Sequence, residues 1–197
     1  MTLPKDVDVV VVGAGAAGIG TGVALSHLEL ETVILERDEI GASFRRWPDE
    51  MRFITPSFPS NSFELTDLNA VTPNTSPAVT LDREHPSGDE YADYLEAVAD
   101  FHELSVETGV EVTGLRNRDA ETGTTPASTE SDAAPAVDGG FVLETTDERV
   151  HSESVVWATG QFGSPRQDVF PGADACSHTS EVSRGPTTRP RAVRTTS

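Results

Sequence analysis

Asp6 to Val12 reads DVDVVVV, a β-branched run too short for a helix and apolar on both faces at its end, as a buried parallel strand is. Gly13-Ala14-Gly15-Ala16-Ala17-Gly18 follows at once, and an apolar stretch then runs to Leu28. Thr32-Val33-Ile34-Leu35 predicts a second strand that ends at Glu36. No convincing helix is expected from Gly41 to Pro86, where Pro48, Pro56, Pro59, Pro73, Pro77 and Pro86 alternate with Phe44, Trp47, Phe53, Phe58 and Phe63. A structureless stretch of that length inside a domain is either functional or a misreading of its elements.

Ser87 and Glu90 stand at capping-box spacing. Tyr91, Tyr94, Leu95, Val98 and Phe101 then recur at helical intervals, which predicts an amphipathic helix of about four turns. Val110 to Leu115 alternates as a strand, Phe141 to Thr145 is another, and Ser154 to Ala158 (SVVWA) reads as a further buried strand. Between the first two, residues 119–140 are rich in Thr, Ser, Ala, Pro, Asp and Glu and are expected to form a low-complexity excursion at a hairpin tip. The fold class expected is α/β.

With 197 residues, 36% of them hydrophobic, and 16 glycines, the chain can bury a core of one full-sized domain. Residues 1–183 are assigned to that domain and 184–197 to a separate tail. The tail holds Arg184, Arg189, Arg191 and Arg194 and no acid. It is either a basic tail for something anionic or the product of a frameshift before an early stop. The 33 acidic residues against 14 basic ones give a formal charge of -19, and a field of that sign disfavours nucleic acid and anionic membrane surfaces as partners. Lys5 is the only lysine. Acid loading with arginine in place of lysine suits a salt-loving microbe, where self-repulsion is screened within about 3 Å at molar salt. Cys176 is the only cysteine, so no internal disulfide, CxxC pair or thiolate-rich metal site is expected. Asp6 and Asp8 precede the uncharged stretch Val9 to Ser26, which also contains glycines, so a signal peptide or membrane span is not expected and the location reads as cytoplasmic.

The strongest chemical signal is Gly13-x-Gly15-x-x-Gly18 between strand and helix. Gly13 permits the tight turn, Gly15 lets backbone approach a pyrophosphate, and Gly18 lets the helix pack closely. The amides and positive dipole end of that helix, with Ala14 and Ala17 inside the turn, would meet the phosphate charge. Glu36 can accept hydrogen bonds from an adenosine ribose, and its charge would repel a 2′-phosphate, so FAD or NAD is expected there before NADP. Otherwise Glu36 is a surface glutamate beside Arg37.

Val155-Val156-Trp157-Ala158-Thr159-Gly160 resembles the strand-plus-ATG motif of two-dinucleotide flavoproteins, which points to FAD. Gly41-Ala42-Ser43-Phe44, Arg46-Trp47-Pro48 and Phe53-Ile54-Thr55 resemble the stretches that wrap the flavin in flavin-containing monooxygenases and their relatives. His85-Pro86-Ser87 with the helix from Tyr91 to Leu104 also resembles that family, and so does Val110-Glu111-Val112, where the resemblance gives the backbone of Val112 to the adenine edge. The resemblance covers about residues 6–180. It implies a Rossmann-like FAD-binding domain, a parallel sheet with helices plus a small antiparallel β-meander. It further implies Gly13, Ala14, Gly15, Ala17, Gly18, Glu36, Arg37, Phe44, Arg46, Trp47, Thr55, Val112, Ala158, Thr159 and Gly160 as cofactor contacts.

Phe44 stands where the family has Trp, and Ala42 where it has a second Gly. The monooxygenase signature is broken: after Phe170-Pro171-Gly172, His178 comes six residues past the glycine and Val182 replaces the aromatic. Flavin oxidoreductase is therefore what the resemblance implies, with a small-molecule substrate or electron acceptor and no named catalytic residue. NAD(P)H would be the electron donor, but no second fingerprint occurs, so the chain is expected to be the N-terminal half and its domain incomplete. Missing strands would leave an unpaired sheet edge open to self-association. The alternatives are a thioredoxin-reductase-like flavoprotein without the CxxC pair, and a non-catalytic dinucleotide-binding fragment.

Overall fold

The computed structural model describes residues 3–58, 67–118, 139–146, 148–161 and 171. Its elements run β1 (Asp6–Val12), α1 (Ala16–Ser26), β2 (Thr32–Glu36), α2 (Ala42–Arg45), α3 (Pro77–Leu81), α4 (Gly88–Phe101), β3 (Val106–Thr108), β4 (Val112–Asn117), β5 (Phe141–Thr145) and β6 (Arg149–Trp157). They form one six-stranded sheet in the order β3-β2-β1-β6-β5-β4. β3, β2, β1 and β6 are parallel, and β6, β5 and β4 are antiparallel. The expected parallel sheet and β-meander are thus present and continuous, because the long β6 pairs with both β1 and β5.

Successive side chains of a strand point to opposite faces, so a run of valines feeds two cores. Val9 and Val11 pack with Ile19, Val23, Ile34, Tyr91, Tyr94, Leu95 and Val98, on the side of α1 and α4. Val10 and Val12 pack with Val7, Val33, Leu35, Val110, Leu143 and Val150 on the other. The sequence-predicted β1, β2 and β5 coincide with the observed strands. The predicted capping box at α4 is complete: the Ser87 hydroxyl accepts from the Glu90 amide, and the Glu90 carboxylate accepts from the Ser87 amide.

Several boundaries differ. The stretch from Gly41 to Pro86 does contain helix, in α2 and α3, each of about one turn. α2 starts at Gly41 in the left-handed region (φ 71), and α3 starts at the Ser76 cap with Pro77 in its first turn. α4 stops at Phe101, whose side chain is 78% exposed and does not join the core; the chain turns away at His102 and Glu103. β3 has no counterpart among the elements the sequence predicts. It is a three-residue edge strand pairing Val106 with Ile34. The strand read from Val110 begins at Val112 instead, with a register irregularity between Val112 and Gly114. The last strand starts five residues earlier than Ser154 and ends at Trp157. Its final residues are not fully buried: Val155 and Val156 are half-buried and Trp157 is 57% exposed. Each of the two valines packs against a different core, while the tip of the strand extends beyond both.

β4 and β5 form a hairpin, closed by the Arg118 amide donating to the Gly140 carbonyl at 3.0 Å. Nearly all of the low-complexity excursion, residues 119–138, lies outside the described residues. So do Phe63, Phe170, Gly172, Cys176, His178, Val182 and the tail from 184 to 197. Among the described residues, no helix is long and apolar enough to cross a membrane.

Candidate functional site

Three parallel strands end side by side. Val12 pairs with Leu35 of β2 and with Trp157 of β6, so Gly13, Glu36 and Ala158 lie at one level at the ends of these strands. The Gly13 amide donates to the Leu35 carbonyl at 2.8 Å, and the Ala158 amide donates to the Val12 carbonyl at 2.9 Å. A crevice at the carboxyl ends of strands whose connections leave on different sides is where open α/β sheets take ligands.

The three fingerprint glycines each answer a separate constraint. Gly13 has φ +106, and a Cβ there would lie 2.7 Å from the Ala158 carbonyl oxygen. A Cβ on Gly18 would run into the Gly13 carbonyl oxygen, so only glycine lets α1 sit this close to the turn. A Cβ on Gly15 would meet no heavy atom within 4 Å. Nothing in the chain needs a glycine there, whereas a ligand passing over the backbone would. Gly15 is also the N-cap of α1, with no side-chain cap and no acid in the first turn. The first amides of that helix lack intrahelical acceptors and sit at the positive end of its dipole.

Glu36 closes the mouth from the side. Its carboxylate accepts the Ala14 amide at 2.7 Å and the Asp38 amide at 3.0 Å. Ala14 in turn accepts the Gly41 amide at 3.0 Å. The chain after β3 fastens onto the same end of β2: the Gly109 amide donates to the Asp38 carbonyl at 3.1 Å, and the Val110 amide to the Glu36 carbonyl at 2.8 Å. Arg37 and Arg46 both pair with Asp38, at 3.5 and 3.0 Å. Arg45 points elsewhere, to Asp93 at 3.0 Å, Glu96 at 2.5 Å and Glu39 at 3.6 Å.

Phe44, Trp47 and Phe53 gather around Tyr91. Ring centroids lie 4.7 Å apart for Phe44 and Tyr91, 4.4 Å for Phe53 and Tyr91, and 5.2 Å for Trp47 and Phe53. The irregular chain beside them is held by buried Asn69. Its side-chain Nδ2 donates to the Thr55 carbonyl and the Ser57 hydroxyl, each at 2.8 Å, and its backbone carbonyl accepts the Tyr91 hydroxyl at 2.7 Å. Thr55 itself is exposed, beside Ile54 at 95% exposure.

The structure therefore gathers Gly13, Ala14, Gly15, Gly18, Glu36 and Ala158 at one mouth. Arg37 and Arg46 are joined beside it through Asp38. Ala17, Thr159 and Gly160 are exposed, and Gly160 has φ +78. Val112 lies in β4, paired with Thr145; the residue bonded to Glu36 is Val110. Asp38 and Asn69 are not among the residues the sequence reading singles out, and Val110 enters it only as part of a segment. Asp38 has a positional signal, two residues after Glu36.

The profile of a family described as pyridine nucleotide-disulphide oxidoreductase matches residues 10–193. Among solved structures, bacillithiol disulfide reductase from Staphylococcus aureus is similar with a TM-score of 0.59 at 19% identity, over 87% of this chain and 43% of its own. A flavin-containing monooxygenase from Stenotrophomonas maltophilia gives 0.56 at 19%, over 83% and 42%. OTEMO in complex with FAD and NADP gives 0.53 at 18%, over 93% and 31%. At such identities the likeness concerns the fold. The chain spans less than half the length of these structures.

Proposed function

The chain belongs to the pyridine nucleotide-disulphide oxidoreductase family, and from that premise we propose that it forms the FAD-binding part of an oxidoreductase driven by NAD(P)H. The observation that carries this reading is the cradle at Gly15, where a Cβ would find open space beside the uncapped end of α1. The residues present fit the group. In this reading the amides of the glycine turn and of the first turn of α1, including Ala14 and Ala17, hold the diphosphate. Glu36 holds the adenosine ribose with lone pairs not used by Ala14 and Asp38. Ala158, Thr159 and Gly160 border the diphosphate from the β6 side. Arg37 and Arg46 supply positive charge at the rim. Phe44, Trp47 and Thr55 form the wall nearest the flavin and exclude water from it. The adenine edge meets the backbone of Val112, which follows the segment fastened to β2 by the Val110 amide and the Glu36 carbonyl.

FAD, when bound, would accept a hydride from NAD(P)H and pass electrons to oxygen or another acceptor; the protein supplies position and electrostatics. Comparison with flavin monooxygenases and disulfide reductases leaves both acceptor classes within the reading, and the broken monooxygenase signature weighs against oxygenation. The test is FAD titration of the full chain purified in molar KCl, followed by flavin fluorescence and visible absorption. Saturable binding with a shifted flavin spectrum is expected. A chain with its far-UV circular dichroism intact and no affinity for FAD would overturn the proposal.

A further inference from the structure

We propose that Asp38 sets the nucleotide preference of this mouth, by occupying the two arginines that a 2′-phosphate would otherwise recruit. The inference rests on the nucleotide reading above. The backbone of Asp38 is fixed at both polar atoms: its amide donates to Glu36 at 3.0 Å, and its carbonyl accepts from Gly109 at 3.1 Å. Its carboxylate is therefore delivered to a defined place beside the ribose acid. One oxygen of it, Oδ2, takes both Arg37 Nε at 3.5 Å and Arg46 Nη1 at 3.0 Å.

All three groups are about half exposed, so the pairing is adjustable and not part of the folding core. Arg45, the third arginine of this segment, is committed to Asp93 and Glu96 of α4 and to Glu39. Guanidinium is the side chain that matches phosphate with paired N–H donors. A 2′-phosphate here would have to take Arg37 or Arg46 from Asp38 while facing the charge of Glu36. A ribose hydroxyl needs neither cation. The two acids thus have separate tasks: Glu36 accepts the hydroxyls, and Asp38 keeps the nearby cations engaged.

Asp38→Asn removes one negative charge without touching the backbone bonds. For a dianionic phosphate that reaches these guanidinium groups in a water-like dielectric, that alone favours the phosphorylated ligand on the order of fivefold, and released guanidinium donors add to it. The experiment is calorimetric titration of the full chain with adenosine 5′-diphosphate and with its 2′-phosphorylated counterpart, at the lowest salt that preserves the far-UV spectrum. Wild type is expected to prefer the unphosphorylated ribose. Asp38→Asn should narrow that preference about five- to tenfold, and Asp38→Asn combined with Arg46→Gln should lose most of the gain. An unchanged ratio in Asp38→Asn, or a gain that survives loss of Arg46, overturns the inference alone. Failure of wild type to bind either ligand overturns the nucleotide reading, and the inference falls with it.

Discussion

Gly15 and Gly18 lie three residues apart in one motif, yet their replacement by alanine should fail in opposite ways. Gly15 has φ -81 and ψ -172, a conformation open to any residue, and its missing Cβ faces empty space. Without ligand, Gly15→Ala loses a good N-cap, a cost of about 0.5 kcal/mol, and gains a similar amount from a stiffer unfolded chain. The net change in stability should be within about 0.5 kcal/mol of zero. With ligand, the methyl group occupies the path of the diphosphate. Overpacking of that kind costs about 1–3 kcal/mol, which weakens affinity roughly five- to 150-fold. Gly18→Ala meets the carbonyl oxygen of Gly13, a backbone atom held by the sheet, so α1 itself must shift. That cost, about 3 kcal/mol or more, falls on the fold. Urea unfolding followed by far-UV circular dichroism, at fixed KCl, measures the first quantity, and calorimetric titration with adenosine 5′-diphosphate the second. Should Gly15→Ala bind as wild type does, the diphosphate does not cross Gly15 and the cradle is not a cradle. Should Gly18→Ala unfold at the wild-type midpoint, the close seat of α1 on the turn is misdescribed.

The α4 cap and its buried tyrosines make further predictions. Ser87→Ala removes half of the capping box and should lower stability by about 1 kcal/mol in urea. Glu90 is held below the usual carboxylate range, chiefly by the Ser87 amide and also by Arg83, against the opposing effect of burial. A depressed carboxylate stabilises above its unfolded-state pKa and loses that contribution as pH falls through the folded value, so Glu90→Gln should flatten the acid limb of a stability-against-pH curve; an unaltered limb refutes the assignment. Burial raises the phenols of Tyr91 and Tyr94 above their ordinary value of 10.0. Their contribution is intact below pH 10 and should be lost as pH rises beyond it. Tyr91→Phe, which loses the bond to Asn69, should cost about 1 kcal/mol at neutral pH and shallow the alkaline limb; an equally steep limb counts against it.

What could be read from sequence had a repeat or a chemical reason behind each position. β1, the glycine turn and β2 combine a β-branched run with glycines whose spacing each serves a steric demand. α4 carries both a capping box and apolar residues at helical intervals. α2, α3 and β3 are single turns or three residues long, and no periodicity can be detected over one period. Phe101 shows the opposite failure: its spacing continues the apolar stripe, but spacing says nothing of where the facing layer ends, and α4 outruns it. β6 is a strand shared between a parallel and an antiparallel neighbour, so its length was set by partners that its own residues do not reveal. The same limit applies at the mouth. Val110 meets Glu36 because backbone amides join residues 109–110 to 36–38, and backbone bonding leaves little trace in residue type.

Glu36 shows why an acid at a strand end supports two readings that need not compete. In this structure its carboxylate already serves the protein, binding the Ala14 and Asp38 amides and so tying the glycine turn to the segment after β2. Each carboxylate oxygen has used one acceptor position and retains another. Ribose hydroxyls would therefore add to the existing bonds instead of displacing them, and the turn would be ordered before a nucleotide arrives. Ordering that is complete beforehand is not charged against binding. The acid that would recognise the sugar is thus also the one that holds the diphosphate turn in shape, and the two halves of the nucleotide would be read by a single bonded unit.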